Sequence, residues 1–302
     1  MSQGDLPVVL LLGFNRPELL QKRVFELSEA GVSSVYVSID APVDPDSEMS
    51  EFLATLPEIF NDSVQVEVKI NQTNMGLAKH VTTRIDELLK LHEEIIILED
   101  DIKINRNFLV NLKAGLELLG NSPSSGIVSG FSPITKPSKL NVTNAWRSTP
   151  YFNCWGWACN REAWKGYALD ISKNDIAIEL SQSTTWEALS KWQKHLWFSR
   201  FRKIQNFPDH TWDIQFQYLC FRKSMINLAP VFTLCDNEGF DDPRSAHTKE
   251  SKPRWWGRGP IYEEIFTRSA PRALNYIFVK LIEPLTTAGD SQLVRIRNKL
   301  KN

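Results

Sequence analysis

Apolar and polar residues alternate along the first 130 positions with two periods, one typical of strands and one typical of helices. Short apolar runs predict strands at 7–14, 34–39, 64–70 and 95–98, with a further strand at 125–129. The longer segments between them have the spacing of amphipathic helices, at 18–30, 48–60, 74–92 and 107–119. Strand alternating with helix is the sequence form of a parallel, doubly wound sheet. The pattern therefore predicts an α/β fold.

The segment 95–101 carries the most chemical information. Four large apolar residues are typical of a strand buried on both faces, and Glu99, Asp100 and Asp101 follow them directly. Open α/β sheets bind ligands at this edge, beyond the carboxyl ends of their strands. Clustered carboxylates repel one another and are costly to desolvate, which indicates a bound cation. Mg²⁺ or Mn²⁺ shared with a substrate diphosphate fits such oxygen ligands, although a solvated acidic turn would also explain the pattern.

Two other predicted strands end in polar residues that should face the same crevice. Asn15 and Arg16 follow the first strand, and Asp40 follows the second. An aspartate there can accept hydrogen bonds from a ribose or a base, and an arginine can bind phosphate. Asp40 could instead be a turn former before Pro42. The chain has neither a Gly-x-Gly-x-x-Gly after the first strand nor a P-loop motif, so a dinucleotide-binding Rossmann site and a P-loop site are not supported.

The second half of the chain loses this periodicity after about residue 130 and is rich in tryptophan. Aromatic rings stack on the apolar faces of sugars, so Trp155 and Trp157, which flank Gly156, are the best candidates for an acceptor site. Core packing is the alternative explanation for any one of these tryptophans. Asp213 could act as a general base or could only cap a helix, and Asp209 is the fallback base.

Composition narrows the function classes. The chain has 302 residues, 42% of them hydrophobic, and its 35 basic and 36 acidic residues give no indication of nucleic-acid binding. Its four cysteines have no zinc-ligand spacing, so we expect reduced thiols, with a disulfide left open. No signal peptide or long apolar span stands out, so we expect a cytosolic protein. The amphipathic stretches at 274–282 and 292–301 could form a peripheral membrane contact, a packing helix or a dimer contact.

Several short motifs occur in the order in which they stand in glycosyltransferases of the GT-A fold. They are Phe14-Asn15-Arg16-Pro17, Ser38-Ile39-Asp40-Ala41-Pro42, Asn74-Met75-Gly76-Leu77, Leu98-Glu99-Asp100-Asp101, Trp155-Gly156-Trp157-Ala158 and Trp212-Asp213. The chain resembles the large family 2-like group of bacterial enzymes, and its Glu-Asp-Asp motif resembles that of the N-acetylglucosaminyltransferase I type. The resemblance covers roughly residues 7–250. It implies a GT-A, Rossmann-like, mostly parallel sheet flanked by helices, with a Trp-rich acceptor-side half.

The resemblance also implies roles for individual residues. Asp101 would ligate Mn²⁺ or Mg²⁺ directly, and His247 stands where many such enzymes contribute a late metal or diphosphate ligand. Asp213 would be the catalytic base. The acceptor would bind at Trp155, Gly156 and Trp157. The residues expected to contact the nucleotide-sugar are Asn15, Arg16, Asp40, Asn74, Glu99 and Asp100.

The implied activity is that of an inverting, divalent-metal-dependent glycosyltransferase of the hexosyl or N-acetylhexosaminyl type. Its donor would be a nucleotide-sugar, with a UDP-sugar as first choice, and its acceptor a glycan or lipid-linked hydroxyl in bacterial surface polysaccharide synthesis. Residues 1–130 would bind the donor, 131–260 would complete the same domain on the acceptor side, and 261–302 would form a helical tail. A sugar-nucleotide nucleotidyltransferase and a non-catalytic carbohydrate-binding relative are the alternatives. The first usually has a Gly-rich basic loop after strand one, where this chain has Asn15-Arg16-Pro17.

Overall fold

The computed structural model describes residues 6–40, 43–44, 47–60, 64–134, 145–240, 242, 244, 261–266, 269–270 and 276–283. The strands are β1 (Val8–Gly13), β2 (Ser34–Ile39), β3 (Gln65–Ile70), β4 (Glu94–Glu99), β5 (Ile102–Ile104), β6 (Ser125–Ser129), β7 (Trp146–Thr149), β8 (Trp157–Asn160), β9 (Ile226–Pro230) and β10 (Cys235–Asn237). The α-helices are α1 (Pro17–Glu29), α2 (Glu48–Ile59), α3 (Leu77–Leu91), α4 (Phe108–Leu119), α5 (Arg161–Trp164), α6 (Ile176–Ser181), α7 (Thr184–Glu187), α8 (Lys191–Asn206) and α9 (Asp213–Arg222).

One sheet of eight strands in the order β3-β2-β1-β4-β8-β6-β9-β7 forms the centre of the described structure. The first four strands are parallel, with Leu11 of β1 aligned with Val37 of β2 and with Leu98 of β4. β8 then runs antiparallel between β4 and β6, and β7 is antiparallel to β9. The predicted fold class is confirmed: the chain is α/β, with a mostly parallel sheet flanked by helices in the Rossmann-like arrangement expected of a GT-A domain.

Burial follows the apolar pattern that predicted the strands. All six residues of β1 and the four apolar residues of β4 are buried, because helices cover both faces of the sheet centre. β3 is the exception: it is the edge strand, and its apolar residues Val68 and Ile70 are exposed together with its polar ones. Helices α1 and α2 pack on one face and α3 on the other, through two separate clusters of buried side chains.

The change of pattern near residue 130 adds strands to the same sheet. β6, which precedes this point, pairs with β8 and β9, which follow it. A separate two-stranded sheet joins β5 to β10, pairing Ile102 with Asn237. This pairing places the segment after β10 beside the end of β4. The amide of Glu238 donates a hydrogen bond to the Asp101 carbonyl over 2.8 Å.

Residues 276–283, in the predicted C-terminal tail, form a short helical segment that packs on the sheet. Phe278 is buried, and the buried Glu283 carboxylate binds the Arg147 guanidinium and accepts a 2.8 Å hydrogen bond from Thr149. Packing therefore accounts for this part of the first amphipathic stretch, whereas the second stretch lies outside the described residues. None of the described helices combines the length and the apolar composition needed to cross a membrane.

Candidate functional site

A cavity of about 480 Å³ opens at the carboxyl ends of β1, β2 and β4. Its walls come from the loops after these strands, from the loop after β3 with the first turn of α3, from the residues just before β8 and from the start of α9. The predicted site residues that line it are Asn15, Arg16, Asp40, Asn74, Glu99, Asp100, Asp101, Trp155 and Asp213. The structure thus brings together, in one cavity, residues that are up to about 200 positions apart in sequence.

Arg16, from the loop after β1, lies among the acidic residues at the end of β4. The Arg16 guanidinium binds the Asp100 carboxylate with two nitrogens, Nε to Oδ2 over 3.2 Å and Nη2 to Oδ1. Nη2 also donates to Asp101 Oδ2 over 3.2 Å. Arg16, Asp100 and Asp101 are all buried, so these charge-assisted hydrogen bonds form in a region from which water is largely excluded.

Burial dominates the electrostatics of the acidic strand end. It raises the pKa of Glu99 to about 8, and the charges of Asp101 and Asp100 add to this effect. Burial also raises the pKa of Asp100 to about 7 against the opposing charge of Arg16, and it raises the pKa of Asp101. The three carboxylates have only one guanidinium beside them, so the positive charge at the site is too small to neutralise them.

The acid cluster retains unused hydrogen-bonding capacity. Asp101 Oδ1 and Arg16 Nη1 are buried and have no hydrogen-bond partner in the described part of the chain. Gly239, just after β10, lies against both side chains. A Cβ atom on Gly239 would stand 2.2 Å from Asp101 Oδ2 and 3.1 Å from Arg16 Nη1. Only glycine leaves room for the pair in this arrangement, a role that the sequence analysis did not assign to Gly239.

The oxygen donors of this cluster fit a hard divalent cation. Carboxylates are the ligands that Mg²⁺ and Mn²⁺ prefer, and Asp101 Oδ1 is an unused buried acceptor. Within the described residues, no three His, Cys, Asp or Glu side chains form a ready-made cage for a metal ion. Mg²⁺ typically takes only one or two protein carboxylates and completes its shell with water and phosphate oxygens. Asp101 is the residue best placed to hold such an ion.

Asp40 forms the second polar wall of the cavity and is not merely a turn former. Its Oδ1 atom accepts hydrogen bonds from Asn71 Nδ2 and from the Met75 amide, each over 2.9 Å. The loop that supplies Met75 is fixed by Asn74, whose Oδ1 accepts from the Gly76 amide over 2.8 Å. Asn74 therefore shapes the loop that holds Asp40, in addition to lining the cavity.

Asp213 is the first residue of α9, and its carboxylate lines the cavity. The helix N-cap position is Trp212, which makes no side-chain capping bond, so helix capping alone does not explain the aspartate. The Thr211 hydroxyl donates to Asp213 Oδ1. Asp209, the fallback base, is outside this cavity: its side chain is 63% exposed and forms a 3.2 Å ion pair with Lys79.

Two predicted acceptor residues are corrected by the structure. Trp157 is fully buried in β8 and stacks on Trp212 at a ring separation of 5.6 Å, so it cannot reach a sugar. Gly156 has φ +62°, and a Cβ there would lie 2.8 Å from the Phe108 ring. Core packing, not the approach of a ligand, therefore requires this glycine. Trp155 does line the cavity, and its ring packs edge-on against Phe131 at 4.6 Å.

His247, the predicted late metal ligand, lies outside the described residues. The cavity residues that the sequence analysis missed include His80 and Arg244. Arg244 binds Glu18 and Asp242 through its guanidinium. The sequence signal for His80 is its position one helical turn after the Asn74-Met75-Gly76 loop. This signal has a meaning only once the structure shows that the loop orients Asp40.

Comparisons with known proteins place the chain among distant structural neighbours. No family model and no curated protein sequence matches it. A mannosyltransferase from Pyrobaculum calidifontis, solved with GDP-Man and Mn²⁺, is 17% identical at a TM-score of 0.41, over 72% of this chain and 69% of that one. TarS 1–349 from S. aureus is 15% identical at 0.36, over 53% and 48%. The glycosyltransferase GlyE from Streptococcus pneumoniae TIGR4 is 12% identical at 0.31, over 52% and 35%. Similarity at this level of identity does not indicate an activity. A functional assignment therefore rests on the residues of the cavity.

Proposed function

We propose that this protein is a glycosyltransferase that moves a sugar from a nucleotide-sugar to a hydroxyl group of a glycan or lipid-linked acceptor. One observation carries the proposal. A single cavity at the carboxyl ends of parallel strands collects a buried acid cluster, an arginine paired with these acids, a hydrogen-bonded aspartate and one further carboxylate on α9. The cavity therefore holds a side chain suited to each part of the reaction: the donor phosphates, the nucleoside and the acceptor hydroxyl.

The donor would lie along the loops that follow β1, β2 and β4. Asp40 would bind the nucleoside, with Asn15 and Asn74 in the same wall, and Arg16 would bind phosphate oxygens. Glu99 and Asp100 would contact the ribose and sugar, and Asp101 would ligate a divalent metal, Mn²⁺ or Mg²⁺. When bound, such a metal stabilises the negative charge that builds on the leaving diphosphate.

Asp213 would act as the general base. An acceptor hydroxyl is a weak nucleophile because its own pKa is very high. As its oxygen bonds to the anomeric carbon, the bond from that carbon to the diphosphate breaks and the hydroxyl proton passes to the Asp213 carboxylate. A single base acting opposite the leaving group implies inversion at the anomeric carbon. Trp155 would stack on the acceptor, as the cavity-facing aromatic residue of its segment.

Several finer parts of the proposal rest on the sequence alone. They are a UDP-sugar donor, the hexosyl or N-acetylhexosaminyl type, the N-acetylglucosaminyltransferase I-like kinship, a role in bacterial surface polysaccharide synthesis, and cytoplasmic location with a peripheral membrane contact. The division into a donor half (1–130), an acceptor half (131–260) and a tail also stays a prediction. The motif Glu99-Asp100-Asp101 supports the kinship.

A thermal-shift screen tests the proposal. Ligands that bind only the folded state raise the unfolding midpoint, so a cognate UDP-, GDP-, dTDP- or CMP-sugar should raise it, and more so with Mn²⁺ than with EDTA. At ligand concentrations about 100 times Kd the stabilisation is about 2.7 kcal/mol. If nucleoside triphosphates stabilise the protein and no nucleotide-sugar does, a nucleotidyltransferase would replace the proposal.

Gly239→Ala should weaken metal binding without unfolding the protein. The added methyl group would collide with the end of the Asp101 side chain, which can rotate away at little cost to the fold but then loses its position. Residues that orient metal ligands typically contribute 10–100-fold to metal affinity, so we expect a loss of about that size in calorimetry with Mn²⁺. Gly120→Ala is the control: Gly120 has φ +69°, so an alanine there strains the backbone, but the added methyl group would meet no atom within 4 Å and Gly120 does not line the cavity. Unchanged Mn²⁺ affinity in Gly239→Ala would remove Asp101 from the metal site.

A further inference from the structure

Helix α8 presents a strip of exposed side chains that contains no acidic residue. Because the helix has 3.6 residues per turn, its seven exposed residues lie within about 120° of one another around the helix axis. The other side of the helix packs in the core, where Trp197 and Phe201 are buried. We name the exposed strip the α8 face. It consists of Lys191, Trp192, His195, Ser199, Arg202, Lys203 and Asn206.

The charge of the α8 face differs from that of the whole protein. Helix α8 has five lysine and arginine residues and no aspartate or glutamate, whereas the complete chain has a formal net charge of −1. Three of these basic residues, Lys191, Arg202 and Lys203, belong to the α8 face. Solvent-exposed helices commonly carry charges of both signs, which support one another along the helix. A face with charge of one sign favours an anionic partner.

Exposed aromatic residues lie at both ends of the α8 face. Trp192 is in the first turn of α8 and is 38% exposed. Phe207 directly follows the last turn, is 62% exposed, and lines a shallow cleft together with Lys203 and Asn206. The two aromatic residues are about 22 Å apart along the helix axis. The positive charges of the α8 face therefore lie between two exposed rings.

The segment 276–283 adds exposed apolar residues beside the start of α8. Lys280 Nζ in this segment donates a hydrogen bond to the Ala188 carbonyl, just before α8, over 2.7 Å. Tyr276 and Ile277 of the same segment are exposed, the tyrosine at 65%. Apolar surface of this kind is unfavourable in water. An anionic partner that also offers an apolar environment would therefore match this side of the protein best.

We propose that the α8 face, together with Phe207, Tyr276 and Ile277, docks the protein on an anionic phospholipid surface. Lipid headgroups attract basic residues, and aromatic rings are stable at the boundary between the headgroups and the acyl chains. A soluble polyanion would satisfy the basic residues but would offer nothing to the exposed rings. The sequence analysis predicted a membrane contact only for 274–282 and 292–301, and it did not consider α8.

Docking through the α8 face would also orient the catalytic cavity. Phe207 leads directly into the turn Pro208–His210, and Asp213, three residues after this turn, lines the cavity. The buried Gln215 side chain of α9 donates to the Pro208 carbonyl over 2.7 Å, so the turn is fixed to the helix that begins with Asp213. A docked protein would hold the proposed base near the lipid surface, where a lipid-linked acceptor would be found. Lipid binding itself does not depend on the proposed activity.

Co-sedimentation with lipid vesicles tests the inference on the unaltered protein. Phosphatidylcholine vesicles that contain about 30% phosphatidylglycerol should bind it at least about tenfold more tightly than vesicles of phosphatidylcholine alone, since only the former attract basic residues. Raising the NaCl concentration from about 50 to about 500 mM should weaken this binding, because salt screens exposed charges. Equal binding to both kinds of vesicle, or binding to neither, would overturn the proposal.

Two double variants assign the binding to a surface. Each basic residue near an anionic membrane contributes about fivefold to affinity, so Arg202→Gln combined with Lys203→Gln should weaken vesicle binding by about 25-fold. Lys22→Gln combined with Lys90→Gln is the control, with the same change in net charge at exposed positions of α1 and α3. The control should change binding by less than about threefold, because its charges lie away from the docked face. Equal losses in the two double variants would show that α8 is not the docking face.

Phe207→Gln separates a membrane from a soluble polyanion. Loss of a ring that enters the lipid should weaken vesicle binding by about three- to tenfold. Phe25→Gln is the matched control, since Phe25 is 50% exposed on α1, and it should leave vesicle binding unchanged. If the substitutions at Arg202 and Lys203 weaken binding and Phe207→Gln does not, the α8 face binds soluble polyanions and the membrane proposal is wrong.

The outcomes for docking and for sugar transfer can be separated. Calorimetry of UDP without vesicles should give the same dissociation constant for the wild-type protein and for all of these variants, because none of the substituted residues lines the donor cavity. Loss of vesicle binding with normal UDP binding would overturn the docking surface and leave the proposed function in place. Vesicle binding by a wild-type protein that binds no nucleotide would do the reverse.

Discussion

Asp213→Asn should lower the rate of sugar transfer by about 10²- to 10⁴-fold while nucleotide binding stays within about threefold of wild type. The amide keeps the shape of the side chain and can still accept from Thr211, but it cannot take a proton from the acceptor. A steady-state assay of nucleoside diphosphate release, run with calorimetry of UDP on the same preparation, measures both quantities.

Asp209→Asn is the matched control for this variant. Asp209 is four residues earlier, exposed, and paired only with Lys79 among its described ion-pair partners, so its substitution should leave transfer unchanged. A near-normal rate in Asp213→Asn together with a large loss in Asp209→Asn would move the base to Asp209. Normal transfer rates in both variants would show that neither Asp213 nor Asp209 is the general base.

Asp101→Ala should abolish the dependence of nucleotide binding on Mn²⁺, and the affinity for UDP in the presence of Mn²⁺ should fall by more than about 100-fold. This loss is expected to exceed the 10–100-fold typical of residues that only orient a metal ligand. The fold should persist, because the substitution removes a carboxylate that is buried with one oxygen unpaired. Arg16 would retain its two-nitrogen contact with Asp100.

Glu94→Gln is the control for Asp101→Ala. Glu94 is the first residue of β4, at the end of that strand away from Asp101, where it forms a 2.9 Å ion pair with Lys113. Its substitution should leave the response to Mn²⁺ intact. If Asp101→Ala binds UDP with an unchanged Mn²⁺ dependence, the metal assignment is wrong and Arg16 is the main cation facing the donor phosphates.

The sequence predicted the strand ends well because their signal is local. The four apolar residues and three acids at 95–101 define a buried strand and the residues at its carboxyl end. Parallel pairing then aligns this end with the carboxyl ends of β1 and β2. Asp40 and Arg16 could therefore be placed in one crevice before the structure was known. The side chain that holds Asp40 could not be predicted, since Asn71 is an ordinary polar residue in sequence.

The predictions that were wrong or missing depend on contacts between segments that are distant in sequence. Trp155 and Trp157 looked equivalent on either side of Gly156, but Trp157 begins β8 and packs in the core against Trp212, whereas Trp155 precedes that strand across a glycine with φ +62°. Gly239 meets Asp101 only because β10 pairs with β5, more than 130 residues earlier. No periodicity records such a pairing, so the close approach behind the acid cluster could not be read from the chain.

The most direct test of the central claim is calorimetric titration of UDP and GDP into the wild-type protein, once with Mn²⁺ and once with EDTA. A donor site built on Asp40, Arg16 and Asp101 predicts binding of at least one of the two, at 1:1 stoichiometry, and at least about tenfold tighter with the metal. Binding of equal strength in both solutions would contradict the metal-dependent donor site, and no binding of either nucleotide in either solution would contradict a transferase that uses a UDP- or GDP-sugar.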